Sequence, residues 1–254
     1  TRLLEQVLRD LSLAQDWFAR ARPVIYLSSY STYIEHGVAV RVALARGVPV
    51  RVFGNLVTFG KRLSRDDPYH ATNGSAYRVI AESLTDPLTA LARAQELLEE
   101  RLQGHIDPAI NYMRQSAYAP SDESVPDVRG AVIVFLHDFF DSPHIYADLV
   151  FDDFWQWICC TIRTLTEAGI PFFLKPHPNQ IAASIEVLDG LCTQFPEMRL
   201  LSSRITNRQL VDAGIGAGVT VYGTVAHELA YLGLPVISCA RHPHHAFDFC
   251  RTAQ

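Results

Sequence analysis

The chain has 254 residues, of which 48% are hydrophobic and 19% charged, with 14 glycines and 14 prolines. That is enough apolar material for one large domain or two small ones, and it excludes a collagen-like or disordered chain. Twenty-two Lys and Arg against 27 Asp and Glu leave a net charge of −5, so nucleic acid is not an expected partner and any phosphate must be gripped locally.

Residues 3–21 predict a helix, with Leu4, Val7, Leu8, Leu11 and Leu13 as its apolar stripe. A buried strand follows at 23–27, then a helix over 34–46 that Gly47 ends, then a strand at 48–53. Strand, helix, strand argues for parallel pairing. Residues 54–75 read as a polar loop, and 85–102 as a helix with Leu88, Leu91, Ala92, Leu97 and Leu98 on one face. The polar stretch 119–127, with Pro120 and Pro126 near its ends, reads as a linker. It divides the chain into an N-terminal domain, 1–125, and a C-terminal domain, 126–254.

The second half alternates more regularly. Strands are expected at 131–136, 171–174, 198–201, 219–222 and 235–238. Between them lie helices at 147–168, 181–195, 207–213 and 224–232. The first of these helices carries a ridge of Phe151, Phe154, Trp155, Ile158, Ile162 and Leu165, with Asp152 and Asp153 on its solvated side. The pattern is α/β, with parallel sheets wound on both faces.

The cysteines are Cys159, Cys160, Cys192, Cys239 and Cys250, an odd set without a CxxC pair. Neither a disulfide framework nor a zinc site is indicated. No apolar run approaches the ~18–20 residues of a bilayer span, and the chain does not open on a signal peptide. A cytoplasmic protein is the expectation, and peripheral attachment to a membrane face is compatible with it.

In an open parallel sheet, ligands bind where the strands' carboxyl ends release their loops. The expected strands lead at those ends into His137 and Asp138; Lys175 and His177; Ser202 and Ser203; Gly223 and Thr224; and Arg241, His242, His244 and His245. The opposite edge carries ordinary connectors such as Glu167-Ala168-Gly169. Gly223-Thr224 between a strand and a helix would offer backbone N–H groups and the positive end of a helix dipole to a phosphate. Glu228, one turn on, would face ribose hydroxyls; an N-cap and a first-turn charge explain the same two residues equally well. Lys175-Pro176-His177-Pro178 is more specific. Two prolines hold a cation and an imidazole where a leaving phosphate gathers charge. His242, His244 and His245 have only Asp248 near ligand spacing, so no metal is expected. The glycines of 214–218 precede their strand rather than follow one, which excludes a dinucleotide fingerprint.

The KPHPN loop, the glycine-rich strand, VYGTVAHELAYLGLPVI and the histidine-proline-histidine segment running into Phe247-Asp248-Phe249 together resemble a known family. It is the nucleotide-sugar-binding half of GT-B glycosyltransferases that build bacterial capsular and surface polysaccharides, related to CMP-Kdo transferases and CDP-glycerol glycerophosphotransferases. The resemblance spans about 131–249, and is looser over 26–70 through Tyr33-Ile34-Glu35-His36-Gly37 and Asp66-Asp67-Pro68-Tyr69-His70.

The resemblance implies two Rossmann-like domains facing a cleft, the N-terminal one incomplete here. It implies a nucleotide-sugar donor (CMP-, UDP- or similar), a polysaccharide or lipid-linked glycan acceptor, no metal or other cofactor, and work at the cytoplasmic face of the inner membrane. Carried over by position, Lys175 and His177 contact donor phosphate, Gly223 and Thr224 form the phosphate-binding helix start, and Glu228 holds the ribose. The acceptor's base would be Glu35, His36 or Asp67 from the first domain, with His70 a further candidate. His137, Asp138, Ser202, His242 and His244 would line the cleft. The few strands of the first half and the absence of a closing helix at the end suggest a fragment or minimal form of a longer enzyme. A nucleotide-sugar 2-epimerase and a non-catalytic nucleotide-sugar-binding domain are the alternatives.

Overall fold

The computed structural model describes residues 2–53, 60–71, 74–106, 116, 118, 119, 121–141, 150–240, 245 and 247–252. The described residues form two compact units, one of residues up to 71 and one of residues from 74 onward.

In the first unit, α1 (Arg2–Ala21) precedes β1 (Tyr26–Ser28), α2 (Tyr33–Ala45), β2 (Val50–Phe53) and β3 (Gly60–Leu63). β1 and β2 pair in parallel, while β2 and β3 pair antiparallel with Val50 opposite Leu63. Phe18, Val40, Val42, Ala43, Leu44, Val50, Val52 and Leu63 form the core. The expected loop over 54–75 therefore contains β3. Lys61 and Arg62 hide the strand in the sequence, yet only Leu63 needs to reach the core.

The second unit opens with α3 (Gly74–Glu82) and α4 (Pro87–Leu102), the latter capped by Asp86, whose side chain accepts from Thr89 N. It continues through β4 (Val132–Phe135), α5 (Phe154–Glu167), β5 (Phe172–Lys175), α6 (Ala182–Gln194) and α7 (Asn207–Asp212). β6 (Ala217–Thr220), α8 (Val225–Tyr231), β7 (Val236–Ser238) and β8 (Cys250–Thr252) complete it. All pairings in this sheet are parallel, in the order β5-β4-β6-β7-β8. Ile133 and Phe135 join Leu210, Val225, Ala226 and Leu229 in one core cluster. Val134, on the other face of β4, is equally buried, so both faces are covered, as a parallel sheet requires.

The division between units does not fall at 125. Gln209, which closes a capping box with Thr206 at the start of α7, also donates to Ser121 O and Glu123 O at 3.3 and 3.2 Å. The stretch read as a linker is thus pinned to the second unit, as is α4. Three further differences are local. Asp153 caps α5 by accepting from Gln156 N, so the described helix begins at Phe154, with Asp152 ahead of it. The strand expected at 198–201 is one bridge, Leu200 to Leu174. β8, which sequence periodicity did not reveal, extends the far edge.

Two glycines show how tightly β6 is built. A Cβ on Gly216 would lie 2.7 Å from Gly130 O, and one on Gly218 2.5 Å from Leu229 Cδ1 under α8. Gly190, exposed in α6, meets nothing within 4 Å. Gly216→Ala is therefore expected to lower stability by roughly 1–3 kcal/mol, and Gly190→Ala to raise it by about 0.5–1 kcal/mol. Chemical denaturation of both variants checks the pair, and equal effects would contradict the packing described.

Candidate functional site

The strand order places β4 between β5, which follows it in the chain, and β6, so the winding reverses between β4 and β6. In sheets of this kind the carboxyl edge at such a reversal is the usual ligand position. His137 stands just past β4 and Thr220 ends β6, with His137 Nε2 3.4 Å from Thr220 Oγ1. A Cβ on Gly223 would come within 2.9 Å of Thr220 Oγ1 and 3.3 Å of His137 Nε2. Glycine at 223 thus lets the chain turn close beneath the imidazole. His137 stacks on Phe154 with ring centroids 5.4 Å apart and lies 4.7 Å from the Tyr222 ring. Burial, aided by His177, holds its pKa down to about 3, so it is a neutral ring.

Lys175 is the last residue of β5, opposite Phe135 of β4. It is therefore fixed by the sheet rather than carried on a loop. It is 2% exposed, and among the described residues its ammonium has one hydrogen-bond contact, Ser203 O at 3.5 Å. Burial lowers its pKa to about 8 while Glu228 opposes the shift. An ammonium has three donors, so most of its capacity is unmet. His177, two residues on, accepts from Asn179 N through Nδ1 at 3.1 Å, which leaves the ring proton on Nε2. Its pKa is lowered by burial and by Lys175. Gln180 Nε2, at the end of the same loop, is buried without a hydrogen-bond partner. Donors with unmet capacity thus cluster on the 175–180 segment, which favours an acceptor-rich ligand.

Glu228 is not open to a ribose. It is 2% exposed, and both oxygens are engaged: Oε1 by Arg101 Nε at 2.5 Å and Oε2 by the Tyr118 hydroxyl at 2.8 Å. Asn207 donates to the Tyr118 hydroxyl at 3.3 Å. Burial and the Glu228 charge push the Tyr118 pKa far up, so the phenol remains a donor. Thr224 makes no cap bond to α8; its Oγ1 accepts from Arg101 Nη2 at 3.1 Å.

Asp138 is a loop strut. It accepts from Phe140 N, Ile181 N and Ser184 Oγ at 2.9, 3.0 and 2.8 Å, tying the loop after β4 to the start of α6. The Ser202 hydroxyl accepts from Arg204 N within its own turn. His242 and His244 lie outside the described residues. Among the described residues no group of three or more His, Cys, Asp or Glu could hold a metal, and no helix is long and apolar enough to cross a membrane.

In the first unit, the end of β1 leads into Tyr30, whose ring lies 5.8 Å from His36 and 5.2 Å from His70. His70 Nδ1 accepts from Ser31 N at 3.4 Å, and burial followed by the Lys61 charge lowers its pKa. Tyr33 begins α2 at φ 45, and the buried Thr32 hydroxyl before it has no hydrogen-bond partner. Glu35 is exposed in the first turn of α2. Asp67 lies against the Lys61 ammonium at 2.8 Å, so that carboxylate is already matched by a cation. His36 and His70 are gathered around Tyr30.

Sequence reasoning missed Arg101, Tyr118, Gln180 and Asn207. Arg101 reads as a favourable last-turn charge on α4, and nothing in spacing couples it to a residue 127 positions away.

No protein-family model matches the chain, and no curated protein matches it in sequence. Among solved structures, a UDP-GlcNAc 2-epimerase from Methanocaldococcus jannaschii, crystallised with UDP-GlcNAc and UDP, is similar over 98% of this chain and 70% of that one. The TM-score is 0.38 and the identity 8%. The functional reading therefore rests on the geometry of the second unit.

The unfolded chain binds more protons than the folded one between the lowered Lys175 pKa, about 8, and its ordinary 10.5. The cost of burying this ammonium is thus complete below pH 8 and fades as pH rises through that window. Lys175→Met leaves Glu228 with Arg101 and Tyr118. It is expected to be more stable than the parent at pH 7 by about 1–4 kcal/mol, with the difference shrinking toward pH 10.5. Urea denaturation at several pH values reads this directly, and a less stable variant at pH 7 contradicts it.

Proposed function

We propose that the second unit binds a nucleotide-activated sugar by its phosphate at the carboxyl edge of the sheet, and that the protein is a glycosyltransferase. The observation that carries the reading is Lys175: a buried ammonium with one long hydrogen bond among the described residues, fixed at the end of the strand beside the winding reversal. A fold keeps such a charge only where something offsets its desolvation. An anion does so, and the Nε2 proton of His177 adds a neutral donor that follows charge as it develops on a leaving phosphate.

The sugar would pass to a glycan acceptor, a polysaccharide or lipid-linked chain of the bacterial surface, at the cytoplasmic face of the membrane. The resemblance carried by the KPHPN loop and the VYGTVAHELAYLGLPVI segment supports that finer reading, with a glycerophosphate donor as its nearest variant. Deprotonation of the acceptor hydroxyl is assigned to the first unit, and to Glu35 or His36 rather than Asp67, whose carboxylate is paired with Lys61. The proposal needs no divalent metal, because fixed donors of the chain meet the phosphate charge.

Titration calorimetry with CMP, UDP and GDP tests the donor site. One of them is expected to bind equally with and without EDTA, and Lys175→Met and His177→Ala should weaken it by ~10- to 100-fold. Parent-like binding by both variants, or no binding of any nucleotide to the parent, overturns the assignment. Release of free nucleotide from the sugar donor only in the presence of a glycan acceptor is the outcome expected of a transferase.

A further inference from the structure

A guanidinium carries five N–H donors in a rigid fork. In Arg101, Nε binds the buried Glu228 carboxylate and one Nη2 proton goes to Thr224 Oγ1. The remaining N–H groups have no acceptor among the described residues, and the side chain is 25% exposed. Glu228 thus acts as a bracket that turns the fork toward Thr224. Thr224 accepts from Arg101, so its own hydroxyl proton is not used in that contact, and Thr224 is exposed.

The exposure of the charged groups points the same way. One buried carboxylate serves two cations: Arg101 directly, and Lys175, whose titration it opposes. Asp138 is spent on the loop it ties, and the neighbouring imidazoles of His137, His177 and His227 are shifted toward their neutral forms. Of the two cations, Lys175 is 2% exposed and Arg101 25%, so the accessible positive charge at this edge is the Arg101 fork.

We infer that Arg101 of α4 is a phosphate-binding residue, acting with the Thr224 hydroxyl, and that Glu228 holds Arg101 in place rather than holding the ribose. The inference rests on the donor site proposed above, and changes the role of one of its residues. α4 has an independent tie to α8, the Tyr231 hydroxyl donating to Glu99, so loss of Arg101 alone need not undock the helix.

The experiment compares the parent with Arg101→Met, Arg101→Lys, Glu228→Gln and the Arg101→Met/Glu228→Gln double variant. Each is titrated with CMP, UDP and GDP by calorimetry, and with cytidine, uridine and guanosine by ligand-detected NMR. Arg101→Met and Glu228→Gln are each expected to raise the nucleotide Kd ~10- to 100-fold. The double variant should be no weaker than either single one, because both remove the same oriented fork. Nucleoside binding should be unchanged, and Arg101→Lys should recover part of the loss. Parent-like nucleotide affinity in Arg101→Met, with only a lowered Tm, makes Arg101 a strut and overturns the inference. So does a Glu228→Gln variant that loses nucleoside affinity and adds to Arg101→Met, since that is the behaviour of a ribose ligand. If Lys175→Met loses nucleotide while Arg101→Met does not, the donor site stands and Arg101 falls. If the parent binds no nucleotide, both fall together.

Discussion

The second unit is organised around one buried carboxylate. An ion removed from water costs several kcal/mol unless its lone pairs are met, and breaking such a pair is worse than never having built it. Glu228 is met by Arg101 from α4 and by Tyr118 from the segment after it. The Lys175 ammonium of β5 feels its charge as well. Three stretches distant in sequence are thereby held to the first turn of α8. Apolar residues would fill the same space more cheaply, but they would not specify which helix end meets which strand end. Tyr118 joins two of the unit's polar elements at once, accepting from Asn207 while donating to Glu228, and its raised pKa keeps it a donor throughout the working pH range.

In the function proposed above, that carboxylate matters because of where the winding reverses. The chain runs from β4 to β5 on one side and returns to β6 on the other, so the loops after β4 and β6 part company. Small residues keep the parting narrow. Gly218 lets Leu229 of α8 sit directly on β6, and Gly223 lets the chain turn beneath His137. Asp138 then fixes the loop after β4 to α6 rather than to a ligand. The edge is built from short side chains, neutral aromatic rings and two cations, with its acids already committed.

Much of this was legible in the sequence where burial writes a periodic signal. The stretches 132–135 and 172–174 are apolar because both faces of the sheet are covered, and α2, α4 and α7 carry their boundaries in Gly, Asp or Thr. β3 was not legible, because Lys61 and Arg62 occupy most of a strand that buries only Leu63. β8 was hidden by its exposed Arg251 and Thr252. The edge position of Lys175 and Gly223 followed from their place at the carboxyl ends of expected strands. The occupation of Glu228 did not, since a carboxylate one turn into a helix looks the same in sequence whether it faces a ribose or an arginine 127 residues away. Long-range pairing of two charges leaves no local trace.

Lys175 shows how stability and binding oppose each other at such an edge. Its strand register opposite Phe135 and the buried Pro176 that follows remove most of the ammonium's freedom during folding. The entropy of ordering it is therefore not charged again when a ligand arrives. The desolvation cost is incurred at the same stage, which is why its pKa falls. An anion that enters offsets that cost and draws the pKa back up, so binding above pH 8 would take up a proton as well as gain a hydrogen bond. The free energy stored in the unliganded protein is returned only to a ligand carrying negative charge at that point, and a neutral nucleoside or free sugar would recover none of it. At the proposed donor site, discrimination for the phosphate-bearing form would then follow from the fold itself, before any contact with base or sugar is made.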